Sequence, residues 1–393
     1  MLVALRLAAL ITIVLTGACG GPSDADPVAP GPGPDPDPNP PARTGVEAIV
    51  DSVRAAFDLP ALVGAIVTLN DAEFARAVSG YRRAGGGPAA TLDDRWHLGS
   101  NLKAFTAMLA AIAVERGDIT WETTIADAFP ELAGTIRAEY AGITLRNLLS
   151  HQSRLQRDPP PGAIVGATRT EQRNAVTTWA VTQPPASDVG QYRYTNTGYM
   201  VAGAMLERAL GTTFEDAMQT YVLEPLGIDD AGWGPQADHA SSSQPVAHRL
   251  VNNQWQALEA FDNPPVYASA GGAHMSVGSW SKFIQEVLRL ENGTPTIVSL
   301  AAGSETTRPL TLIAGSDFYG MGWVITSRSW ANGRTLTHDG TNTGNYSVTW
   351  VAPERGFAVL GLSNSYDAGA TARVSTAVDV LMGRLISYYE TGR

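Results

Sequence analysis

From Val46 onward the chain divides into stretches of helical and strand-like periodicity. "VEAIVDSVRAAFD" places Val46, Ile49, Val53 and Phe57 on one helical face. "ALVGAIVTLN" and "EFARAVSGYR" read as two strands joined by a tight "NDA" turn. From Ala104 to Val114 almost every residue is apolar, which predicts a helix buried on all sides. The middle, roughly residues 118 to 265, reads as mostly helix and loop. Its clearest helices are "ITLRNLLSH" and "NTGYMVAGAMLERALG", and its loops are polar and proline-rich, as in "RDPPPGAI" and "QADHASSSQP". Strand patterns return in "NYSVTWVA" and "GFAVLGLSN", with "PERG" as a hairpin turn between them. "TARVSTAVDVLMGRLISYY" predicts a C-terminal helix. Strands at both ends and helices between them predict an α+β fold. One antiparallel sheet, flanked by the N- and C-terminal helices, is assembled from residues 46–100 and 266–393, with a mainly helical part, 101–265, inserted. A cleft between the two parts is the natural place for a site. No repeat of 20–50 residues is present.

The residues before Val46 follow other rules. Arg6 precedes an uncharged apolar run from Leu7 to Ala18, long enough for a signal-peptide core and too short to span a bilayer. "LTGAC" resembles a bacterial lipobox, with Thr16 an unusual choice three residues before the cysteine. The expectation is lipidation of Cys19 and anchoring on the periplasmic face of a bacterial membrane; a plain secretory signal is the alternative. Cys19 is the only cysteine, so no intrachain disulfide can form. Residues 20–45 are dominated by Pro, Gly and Asp and predict a disordered tether, leaving 46–393 as the folded part.

Composition narrows the function classes. The 393 residues are 44% hydrophobic and 17% charged, ordinary for a globular chain. The net charge of -11 argues against a nucleic-acid partner, and no basic cluster or zinc-finger spacing opposes that reading. The membrane is expected only through the anchor. One feature is odd: among 27 Lys+Arg only Lys103 and Lys282 are lysines, and Lys103 lies at the start of the buried helix. A buried ammonium is costly unless it is paired or loses its proton, and a guanidinium cannot lose one.

Ser100 and Lys103 stand three residues apart in the first helical turn, hence on one face. A serine at a helix N-terminus has its own N–H available to a developing oxyanion, and a poorly solvated lysine beside the positive dipole end can be neutral and accept the serine proton. Alone, the S-x-x-K pattern leaves another reading open: Ser100 as a helix cap and Lys103 as a snorkelling lysine. Ser279 and Lys282 match the same pattern, but there Trp280, Phe283, Ile284 and Val287 form the apolar stripe. Ser279, Lys282, Gln285 and Glu286 are expected on the polar, solvated side. No G-x-S-x-G, H-E-x-x-H, C-x-x-C, Walker loop or dinucleotide glycine loop occurs, and the six histidines are scattered.

Two further segments complete a pattern. Tyr194-Thr195-Asn196 precedes a helix, and His338-Asp339-Gly340 follows the strand-like "TLT". With "HLGSNLKAFTAML", the order S-x-x-K, Y-x-N, K/H-x-G resembles the serine β-lactamase and penicillin-binding-protein superfamily, in its class C β-lactamase, D-alanyl-D-alanine carboxypeptidase and esterase branch. "ITLRNLLSHQSRL", "LEPLGIDDAGWG", "ASAGGAHMS" and "YGMGW" are similar to family segments in the same order. The resemblance implies a serine hydrolase that needs no cofactor or metal, acting on a small-molecule or peptide substrate: an ester, an amide such as a D-amino-acid peptide, or a β-lactam. A module acylated without efficient turnover is the alternative. Ser100 would be the nucleophile. Lys103 and Tyr194 would share proton transfer, Tyr194 favoured as a phenolate supported by Lys103. Asn196 would bond Lys103 and the substrate, and His338 would complete the polar network beside the cleft. Gly340 would admit substrate close to the backbone, and the N–H groups of Ser100 and Thr341 would form the oxyanion hole. Two positions depart from the family. His338 stands in place of a lysine, which weakens recognition of a substrate carboxylate and favours ester and amide chemistry. Arg154 replaces a glycine and is expected to reshape the cleft or bind an anion.

Overall fold

A computed structural model describes residues 45–237, 243–260, 262–342, 344–367 and 372–392. The expected leader with Cys19, and the tether as far as Thr44, lie outside these residues. The strands, in chain order, are β1 (Ala61–Thr68), β2 (Ala75–Gly80), β3 (Arg95–His97), β4 (Gly232–Trp233), β5 (Ala247–Val251), β6 (Gln254–Leu258), β7 (Ala273–Ser276), β8 (Thr311–Ala314), β9 (Asp317–Tyr319), β10 (Val324–Arg328), β11 (Gly333–Thr341), β12 (Tyr346–Ala352), β13 (Phe357–Ser363) and β14 (Ser365–Tyr366). Eight of them form one antiparallel sheet in the order β2-β1-β13-β12-β11-β10-β9-β8. The two ends of the chain meet at its centre, where Leu62 pairs with Ser363 and Thr68 with Phe357. The α+β reading therefore holds.

The pattern of β1 shows why the sheet lies where it does. Ala61, Val63, Ala65 and Val67 enter one core, and Leu62 and Ile66 enter the other. A strand covered on both faces reads as a continuous apolar run instead of an alternating one. One face is covered by the helices Val46–Ala56 and Arg373–Thr391, whose Val50, Val53, Val378 and Leu381 are fully or almost fully buried. On the other face lies helix Val277–Glu291, and against it helix Leu102–Glu115, with Phe105 and Phe283 stacked at 3.5 Å. Every residue from Leu102 to Ala113 is buried, as the apolar run predicts.

The helices of the middle segment carry clear caps. The Thr195 hydroxyl accepts from Gly198 N–H at the start of Asn196–Leu210, and Thr144 with Asn147 forms a capping box on Leu145–Leu149. That second helix is shorter than its pattern suggests, because the chain turns into the left-handed region at His151, φ 60°.

Three differences from the sequence reading matter. Strands β8 to β10 extend the sheet through a stretch interrupted by Gly315, Gly320 and Gly322, where no strand period survives. The middle segment is not helix and loop alone: β4 pairs with β7, and the β5–β6 hairpin pairs with β14, tying it to the sheet-bearing part. The face of Ser279, Lys282, Gln285 and Glu286 is not a solvated one. Ser279, Gln285 and Glu286 are buried, and Lys282 is half-buried, donating to the Gly227 carbonyl. The β1–β2 turn and the loop at Thr296 fold over this side. The Gln285 amide donates to Thr68 and Leu69 carbonyls, and the Glu286 carboxylate accepts from Thr296 and Ile297 N–H.

The middle segment has its own buried polar anchor. Arg173, fully buried on helix Arg169–Thr182, donates to Glu207 Oε1 at 2.5 Å and to Glu215 Oε2 at 2.8 Å, and Phe214 N–H also donates to Glu207. Removing one partner of a buried ion network leaves the others uncompensated. Arg173→Met is expected to lower unfolding stability by about 3–5 kcal/mol, read from the midpoint of urea unfolding at pH 7.

Candidate active site

Ser100 sits in a single 3-10 turn, Gly99–Asn101, that leads directly into helix Leu102–Glu115. The turn is held against the sheet. The Ser347 hydroxyl donates to Leu98 O at 2.7 Å, and the Asn101 amide donates to Ser347 Oγ at 2.7 Å. Gly340 on β11 lies so near that a Cβ there would stand 2.1 Å from Leu98 O and 2.9 Å from Ser100 N, so no larger residue fits. The backbones of Ser100 and Thr341, the two expected oxyanion donors, are thereby brought together.

Two sequence-predicted side chains converge on Ser100 Oγ, and a third, Asn196, reaches one of them. The Tyr194 hydroxyl donates to it at 2.7 Å, and Lys103 Nζ lies at 2.9 Å. Lys103 Nζ also meets Asn196 Oδ1 at 2.8 Å and Ala270 O at 2.6 Å. Both of those oxygens can only accept. A neutral amine has two hydrogens and one lone pair; the two oxygens take the hydrogens, and the lone pair is left facing Ser100 Oγ. Burial, opposed by Asp158 and reinforced by Arg157, pushes the Lys103 pKa down from 10.5 to about 7. Ser100, Tyr194, Asn196 and Thr341 remain half-exposed, while Lys103 and His338 are buried. The cluster thus has an open side on which an acyl group can approach Ser100. Among the described residues, no group of His, Cys, Asp or Glu is arranged to hold a metal ion.

Asn196 divides its amide. Its Oδ1 holds Lys103, and one hydrogen of its Nδ2 goes to Asp158 Oδ1 at 2.8 Å, so part of the group expected to bind substrate is engaged within the protein. His338 shares the sheet face of Leu336, and its two ring nitrogens face Asp339 and Tyr319. Its Nδ1 donates to the Asp339 carbonyl at 2.6 Å, which leaves Nε2 to accept from the Tyr319 hydroxyl at 3.1 Å. Burial lowers the His338 pKa to about 4. This position therefore presents neither a charge nor an unused N–H.

Residues 49–381 match the family model described as Beta-lactamase. The chain belongs to this family. It is 24% identical over 338 residues to penicillin-binding protein 4 of Amycolatopsis lactamdurans, covering 80% of this chain and 83% of that one. It is 23% identical over 280 residues to the D-alanyl-D-alanine-carboxypeptidase/endopeptidase AmpH of Escherichia coli K12, covering 70% of this chain and 71% of that one. The class C beta lactamase of Rhodobacter sphaeroides superposes with a TM-score of 0.68 at 19% identity, over 88% of this chain and 99% of that structure. The beta-lactamase-family fold is thus shared, and the chain is a hydrolase of that family.

Two further residues bear on the site. Arg154, in the family's glycine position, adopts the glycine-like φ of 62°. Its guanidinium donates to the Ser187 carbonyl at 3.1 Å, and its own carbonyl accepts from Ala186 N–H, so it braces a neighbouring loop. His151 was visible only within a family-like segment. Its carbonyl accepts from Arg193 N–H, its Nδ1 accepts from Thr195 N–H, and its ring lies 4.3 Å from that of Tyr194, so it holds the chain on both sides of Tyr194.

Lys103 links stability to pH. Its folded pKa of about 7 lies below the unfolded value of 10.5, so between these limits the unfolded chain holds more protons and raising the pH favours the folded state. Below pH 7 both states are protonated and its contribution is flat. Wild type is expected to gain about 2 kcal/mol over Lys103→Met between pH 7 and pH 9, in paired urea titrations.

Proposed function

We propose that this protein is a serine hydrolase acting through a Ser100 acyl-enzyme, on esters or amides whose acyl part carries no carboxylate for the third motif to hold. The observation that carries the reading is Lys103 Nζ 2.9 Å from Ser100 Oγ with Asn196 Oδ1 and Ala270 O as its other partners, so that the neutral amine gives its two hydrogens to those oxygens and turns its lone pair toward Ser100 Oγ. Ser100 Oγ forms a bond to the carbonyl carbon while its proton passes to Lys103 Nζ. The N–H groups of Ser100 and Thr341 receive the oxyanion. Collapse breaks the bond to the leaving alkoxide or amine, which takes the proton by way of Lys103 and Tyr194. Water then attacks the acyl carbon, its proton going to the same amine, and the acid leaves as Ser100 regains its hydrogen. The hydrogen-bond pattern supports Lys103 as the first proton acceptor and Tyr194 as the donor to the leaving group, in place of a leading tyrosinate.

The neutral, engaged His338 supports the preference for uncharged acyl donors. A second reading, D-alanyl-D-alanine carboxypeptidase-type activity or acylation by penicillin, is supported by the names of the relatives.

With residues 46–393, hydrolysis of p-nitrophenyl acetate is expected to vanish in Ser100→Ala. It should fall at least about 10³-fold in Lys103→Arg with folding retained. The kcat/KM of wild type should rise with pH and level off above an apparent pKa near 7. Incubation with penicillin should give no Ser100-dependent mass increase. An adduct would favour the second reading, its lifetime separating a sensor from a β-lactamase.

A further inference from the structure

Resting on the Ser100 reading, we propose that His97, Asp262 and Asn342 form a buried clamp that sets the spacing of the two oxyanion-hole N–H groups. These are positioning residues; none of them touches Ser100 Oγ. His97, on β3, has no exposed side-chain surface, and Asp262 only 6%. The His97 Nδ1 accepts from Gly99 N–H at 3.0 Å, which places the ring proton on Nε2, 3.2 Å from Asp262 Oδ2. The second Asp262 oxygen accepts from the Asn342 side-chain amide and from Asn263 N–H at 2.5 Å. The Asn342 amide nitrogen also lies 2.8 Å from His97 Nε2, but with the proton on Nε2 both are donors, so His97 and Asn342 are joined through the two oxygens of Asp262 and not to each other; the Asn342 carbonyl oxygen accepts from the Asn263 amide at 3.0 Å.

What makes this a clamp is where it grips. Gly99 immediately precedes Ser100, and Asn342 immediately follows Thr341. The network therefore holds the residue next to each donor and joins the two across the gap between the 3-10 turn and the end of β11. A Cβ on Gly99 would lie 2.7 Å from Thr341 N, so the two backbones are already in contact. Donors fixed before the reaction stabilise a forming oxyanion without reorganising. A buried carboxylate with several donors is an effective way to fix them, because any displacement leaves a buried charge less satisfied. The separate Ser347–Leu98–Asn101 bonds keep the Ser100 turn folded when the clamp is lost.

The test compares p-nitrophenyl acetate with its thionoester, whose C=S sulfur is a poor acceptor and gains little from the oxyanion hole. His97→Phe is expected to lower kcat on the oxo ester about 10²-fold, with KM unchanged and the thionoester rate within about threefold, so the ratio of the two rates collapses. Asp262→Leu should behave alike. His97→Asn, whose Oδ1 can stand where Nδ1 accepts from Gly99, should recover most of the loss. If His97→Phe does not fold, His97→Gln, polar but reaching past Gly99 N–H, carries the same expectation. Equal losses on both esters, or an unchanged oxo-ester kcat, would overturn the clamp while leaving the Ser100 reading intact. A folded wild type with no Ser100-dependent turnover of either ester would overturn both.

Discussion

The amine of Lys103 is fully buried and meets three oxygens, from Ser100, Asn196 and Ala270. Leaving it uncharged is what makes that burial tolerable, and the same neutrality gives it a lone pair to use. Each partner comes from a different part of the fold: Asn196 from a helix start in the middle segment, Ala270 from the short helix before β7, Ser100 from the turn before its own helix. The chemistry of the site and the joining of the two parts of the molecule are therefore one arrangement.

The surroundings repeat the theme of polar groups satisfied internally. His338 and Asn196, which the family pattern would offer to substrate, spend hydrogen bonds on Tyr319, Asp339 and Asp158. The site is thus well determined around Ser100 and sparing in fixed contacts toward the substrate.

Much of this was legible in the chain. The continuous apolar run with one lysine announced both the buried helix and the perturbed amine, and the strand patterns at the two ends of the chain announced one sheet built from both. Three motifs in order placed Ser100, Lys103, Tyr194 and Asn196 together. What escaped depends on contacts between distant residues. Nothing local shows that the polar side of Val277–Glu291 is roofed by the β1–β2 turn and the Thr296 loop. The strands β8 to β10 are short and broken by glycines, so no period accumulates. Arg154 could be recognised as a departure, but its direction toward Ser187 follows from loop packing. His97 and Asp262 lie far apart in sequence and gain meaning only when β3 and the segment before β7 bring them to one place.

The pairing of β1 with β13 has a consequence for how the chain matures. The central sheet joins the first strands made to nearly the last, and its contacts are among the most distant in sequence that the molecule contains. Ser100 is braced by Gly340 and Ser347, so its turn lacks that part of its support until β11 and β12 exist. During synthesis, the early strands and the apolar Leu102–Glu115 helix wait with their surfaces uncovered until the C-terminal strands arrive. Such a topology folds slowly and late. A chain held unfolded until complete avoids that exposed interval, and the Ser100 turn takes its final shape only when the sheet closes.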